Sequence, residues 1–183
     1  MTSSENTPII VNAKKFRSNK DISAHYKSHG WVSLKKFIPK KIISTLEADF
    51  DKVALDICGL KFEKAVIYLN KKNKDKLYRL CTDVEKTSSH MYLIKTFNEK
   101  YKKIFNKNQP IINLGQFVLP GPPADKRLVY NFHQESNYYK DYNTTAHFHF
   151  PIFNNANLQN GAMSVLSKSH KFSQKKSPIN YYG

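Results

Sequence analysis

The sequence predicts a mainly β domain with a layer of helices ahead of it. Three observations carry this. Helical periodicity and helix caps concentrate before residue 106, while β-branched and aromatic runs between Pro, Gly and Asn turns dominate after residue 110. The two kinds of segment do not alternate as they would in a parallel βαβ fold.

Taken in order, residues 1–17 read as a flexible lead-in. "SNKDISAHYKSHG" predicts a short helix with Ser18 or Asn19 as cap and Gly30 just past its end. "WVSLKKFI" reads as a strand. Pro39 then opens a helix over about 39–57, on which Ile42, Ile43, Leu46, Phe50, Val53 and Ile57 recur at helical spacing and Lys40, Glu47 and Asp51 form the polar side. "KAVIYL" and "KLYRL" read as short strands around the polar loop "NKKNKDK". A further helix is signalled by Ser88 and Ser89 as caps, carries Tyr92, Phe97, Tyr101, Ile104 and Phe105, and ends at "NKNQP". Four strand candidates follow: "IINLGQFVL", "LVYNFHQES", "TAHFHFPIF" and "AMSVLS". That is roughly half of the eight strands a jelly roll needs.

The chain has 183 residues, with 40% hydrophobic and 13% aromatic content, enough for the core of one domain over 18–183. Within it the helical layer covers about 18–109 and the β part about 110–183. The net charge of +16 would suit an anionic partner. Arginine, however, occurs only at Arg17, Arg79 and Arg127, and the lysines are scattered, so compositional bias is the preferred explanation and nucleic acid is not the expected partner. Cys58 and Cys81 make neither a disulfide framework nor a CxxC pair. No signal-peptide pattern and no membrane-length apolar run is seen, so a cytoplasmic protein without a membrane span is expected.

The chemistry-bearing stretch is "VYNFHQESNYY", residues 129–139. On a strand His133 and Glu135 point the same way, with Asn131 beside them, so one strand could offer two metal ligands. His147 and His149 form an HxH on the next strand candidate, a spacing that cupin-type metal sites use. They could join Glu135 around a metal or simply line a pocket wall.

These residues resemble the phytanoyl-CoA dioxygenase family of iron(II)- and 2-oxoglutarate-dependent oxygenases. The resemblance rests on "HQE" at 133–135, on "NGAMSVLSKSHK" at 160–171, similar to the family's NG turn and GSHK-like signature, and on the opening "YKSHGWVSLKKFIPKKIISTLEADF". It spans about residues 20–175. It implies a double-stranded β-helix of jelly-roll type, with Fe(II) held by His133 and Glu135 and with 2-oxoglutarate as cosubstrate. It further implies a dioxygenase that hydroxylates a small organic metabolite or acyl substrate. Two histidines and one carboxylate on one face of such a metal leave room for 2-oxoglutarate and dioxygen. Gln116 matches a region that contributes cosubstrate contacts, and Phe150 falls where family members often carry a tryptophan. His170 belongs to the signature and is not the distal iron ligand.

The sequence departs from the family's pattern at three points. Glu135 stands where Asp is commoner, and Lys168 replaces the small residue before "SHK". The distal histidine and the 2-oxoglutarate-binding arginine have no counterpart before Gly183, so the expectation is a jelly roll that continues past this residue, with residues 1–183 alone inactive. The alternatives are a non-catalytic jelly-roll binding module lacking a complete iron site and a basic nucleic-acid-binding protein.

Overall fold

The computed structural model describes residues 9–10, 14–105, 147–154 and 162–171. In chain order they form β1 (Ile9–Ile10), α1 (Asn19–His29), α2 (Lys40–Cys58), α3 (Phe62–Lys72), α4 (Lys74–Glu85), α5 (Ser88–Phe105) and β2 (Ser164–Val165). A short 3-10 turn covers Ser169–Lys171. They fall into two compact units. One contains residues 14–35 with β1, 147–151 and 162–171; the other contains residues 36–105 and 152–154.

Among the described residues of the second unit the secondary structure is all helical, α2 to α5. Leu46, Phe50 and Ala54 put one stripe of α2 into the core, where α2 packs on α3, α4 and α5. Leu46, Phe50, Leu69, Leu80, Val84 and Leu93 are the largest side chains wholly removed from solvent. Phe50 meets Phe62 at 5.2 Å between ring centroids, and Phe153 stacks on Phe62 at 5.1 Å and 7°. Lys61 supplies no side-chain cap to α3. Asp51 of α2 does so instead, accepting from the Phe62 N–H at 2.9 Å. His90 is buried, and its Nδ1 donates to the Glu85 carbonyl at 2.8 Å.

This architecture corrects the predicted fold class. The protein is helical, not a mainly β jelly roll, and among the described residues the only sheet is the antiparallel pair of β1 and β2. "KAVIYL" and "KLYRL" lie inside α3 and α4. Phe62, Ala65, Val66 and Leu69 recur at helical spacing and bury together, and this overrides the β propensity of the run between them. The loop "NKKNKDK" shrinks to Asn73, whose N–H donates to the Leu69 carbonyl at the end of α3. Its side chain accepts from the Lys76 N–H at 2.9 Å at the start of α4. "WVSLKKFI" gives only an isolated parallel bridge between Leu34 and Lys14. Residues 147–154 carry no strand, and "AMSVLS" contributes two strand residues. A ladder needs a partner, and alternation alone supplies none. The remaining candidates, "IINLGQFVL" and "LVYNFHQES", lie outside the described residues.

Candidate functional site

The "SHK" signature meets the end of α1. Ser18 caps the start of this helix, its Oγ accepting from the Asp21 N–H at 3.2 Å. Asp21 in the first turn and Lys27 and His29 in the last suit the helix dipole. The helix ends at Gly30, whose φ of +81° is left-handed and whose N–H donates to the Tyr26 carbonyl at 2.7 Å. Two further carbonyls of the last turn are satisfied by residues far along the chain. The Lys168 N–H donates to His29 at 2.8 Å, and the His170 Nε2–H donates to Lys27 at 3.1 Å.

Gly30 also makes room for His170. A Cβ on residue 30 would fall inside the imidazole, 2.7 Å from its Cγ. The signature turn itself places Lys168 at φ +68°, a conformation that favours glycine. Lysine therefore sits where glycine would relieve the backbone. Just before the turn, Ile9 pairs with Val165 and Ile10 with Ser164.

An imidazole and aromatic cluster lies on and beyond α1. His25 and His29, one helical turn apart, stack at 4.1 Å and 17°. His25 meets Trp31 edge-on at 5.3 Å and Phe16 at 5.3 Å, and the Lys14 Nζ lies 5.9 Å from the Trp31 ring. The His29 Nδ1 donates to the His25 carbonyl at 3.0 Å. Among the described residues, His25 Nε2 and Trp31 Nε1 are buried without a hydrogen-bond partner. Burial, then the neighbouring His29, then Lys14 hold the His25 pKa below its ordinary value. This cluster was missed by motif reading. The signal for it was the i, i+4 spacing of His25 and His29 directly before Gly30 and Trp31.

His133, Glu135 and Gln116 lie outside the described residues. His147 and His149 are exposed, with their rings 6.1 Å apart and inclined by 25°, on a segment that is not a strand. Among the described residues no group of three or more His, Cys, Asp or Glu side chains could hold a metal ion. No helix among them is long and apolar enough to cross a membrane. Comparison of the chain with protein-family models, with curated proteins and with solved structures gives no match.

Proposed function

We propose that this chain is an Fe(II)/2-oxoglutarate-dependent oxygenase acting on a small organic metabolite or acyl substrate, with His133 and Glu135 as metal ligands. With the fold class corrected, the reading rests on residues. One observation carries it: two of the stretches on which the resemblance depends, "YKSHGW" and "SKSHK", meet through the His29–Lys168 and Lys27–His170 hydrogen bonds although 143 residues separate the latter pair. Chance matches to scattered motifs give no reason for such a meeting. The left-handed turn at Lys168 supports it as well, since a glycine-like residue is what that backbone asks for.

The donor chemistry fits the group. An imidazole nitrogen and a carboxylate oxygen are ligands of non-haem iron, which when bound supplies oxygen activation. His133 and Glu135 would hold it, and Gln116 would contact the cosubstrate.

The test is an anaerobic Fe(II) titration of the full chain with 2-oxoglutarate, reading bound iron per protein and the metal-to-ligand charge-transfer absorption. Glu135→Ala and His133→Ala should each lower iron affinity by more than the roughly 10–100-fold that loss of an outer-shell partner costs. Glu135→Asp should retain part of it, and replacing His147 and His149 together should matter less. Unchanged iron in both alanine variants would sink the assignment and leave a non-catalytic binding module. The reverse order of effects would move the metal to the HxH pair.

A further inference from the structure

We propose that the outer face of α3 docks on an anionic phospholipid surface. The inward stripe of this helix is Phe62, Ala65, Val66 and Leu69. Its opposite face carries Lys64, Ile67, Tyr68, Lys71 and Lys72, which at about 100° per residue fall within an arc of roughly 140°. These five residues line a single shallow depression of about 340 Å³. Ile67 is 42% and Tyr68 49% exposed, so a branched aliphatic group and a phenol stand in solvent inside a rim of ammonium groups. Lys72 and Tyr68 continue into an adjoining hollow that Lys76 also lines.

Among the described residues no ion pair engages the rim lysines. Glu63, on its flank, accepts from the side-chain amide of Asn154, and Asp51 pairs with Lys61 at 3.7 Å rather than with the rim lysines.

The chemistry favours a lipid headgroup layer over a nucleic acid. Both present phosphate, but only the bilayer gives Ile67 and Tyr68 an apolar boundary to enter while the lysine stems extend to the headgroups. Lysine also acts as a point charge, suited to a diffuse anionic layer, whereas arginine is the residue of bidentate phosphate recognition. The helix would lie in the plane of the interface. Its 11 residues extend about 16 Å, half the thickness of a hydrocarbon core. The net charge of +16 would steer the approach.

The experiment is co-sedimentation of the full chain with mixed phosphatidylserine–phosphatidylcholine vesicles and with pure phosphatidylcholine vesicles. Wild type should prefer the mixed vesicles, and raising salt from about 0.1 M to about 1 M should release it as the screening length falls from about 10 Å to about 3 Å. Reversing two rim charges, Lys64→Glu with Lys71→Glu, should weaken binding about tenfold or more. Ile67→Ser should weaken it several-fold with every lysine retained. The control is the same charge change on α5, Lys95→Glu with Lys103→Glu, which should cost about twofold at most, with circular dichroism confirming equal helix content. Should the rim double variant lose helix, Ile67→Ser and the α5 control decide. Equal binding to both vesicle types, an α5 variant as impaired as the rim variant, or unimpaired binding by Ile67→Ser would overturn the proposal. So would tighter binding to duplex DNA that the rim variant abolishes, which would reassign the face to nucleic acid.

Discussion

In the unit of α2 to α5, helices near one another in sequence bury large side chains together, and even the connections are local. Asn73 alone ends α3 and caps α4, and Asp51 reaches 11 residues along the chain to cap α3. In the unit around α1, by contrast, β1 pairs with Ser164–Val165 and the helix ends on Lys168 and His170. No residue of α1 is buried, whereas α2 buries three. One unit is thus held chiefly by apolar packing among helices consecutive in sequence, with Phe153 added from far along the chain, and the other by hydrogen bonds and ring contacts, several between distant segments. Perturbations should therefore be read as core loss in the first and as undocking in the second.

The largest expected effect is on the packed unit. Phe50→Ala removes a fully buried ring in contact with Phe62 and Phe153 and should cost about 3–5 kcal/mol in urea unfolding followed by circular dichroism. A loss under about 1 kcal/mol would mean that the core can collapse around the gap.

A smaller effect should sharpen the contrast from the other side. Gly30→Ala must hold a left-handed backbone and displace His170, for about 2 kcal/mol against docking. Hydrogen exchange at the Lys168 amide should quicken while the exchange of Leu69 and Leu80 stays at the wild-type rate. Quickening in all three would show that the units are energetically one.

Acid should act selectively as well. The unfolded chain takes up a proton at His25 near pH 6.5, but the folded cluster resists it, so folding of the α1 unit weakens as pH falls through that value. Among the described residues the buried Nε2 has no acceptor for an added proton. Protection of the Lys168 amide should drop below pH 6.5, and His25→Gln should flatten the dependence.

The smallest change expected is a gain. Lys168→Gly relieves the left-handed backbone but frees the unfolded chain, for a net stabilisation of about 1 kcal/mol or less, read as slower exchange of the same amide.

The contrast also governs how far the sequence could be read. α1 was legible because Ser18 and Gly30 bracket it, and α2 and α5 because apolar residues such as Leu46, Phe50 and Ile104 recur at helical spacing, although the expected caps of α5, Ser88 and Ser89, lie inside the helix. α3 and α4 were taken for strands because the run Val66–Ile67–Tyr68 scores as β locally, while what decides is Phe62, Ala65, Val66 and Leu69 meeting α2. Strands were overcounted for the complementary reason. Alternation in "WVSLKKFI" and "AHFHF" sets faces, but pairing depends on segments that no local pattern identifies. At the candidate site, Lys168 was marked only as a replacement for a small residue before "SHK", and its left-handed backbone was not foreseen. The His25–His29–Trp31 cluster was not foreseen, because three aromatic rings around one helix end match no catalytic spacing.

The docking of the signature turn on α1 also sets a timetable. The last turn of α1 waits for a histidine 143 residues later to satisfy the Lys27 carbonyl. At the usual 5–20 residues per second, a ribosome needs about 7–29 seconds to make that stretch. Throughout this interval an 11-residue helix with no buried side chain must persist on its own caps, and isolated helices of that length are marginal in water. The α2 to α5 helices can pack on one another as soon as α5 is made, with Phe153 still to come. The nascent chain would then carry a largely packed helical unit beside an amino-terminal one left unfinished until Lys168 and His170 arrive.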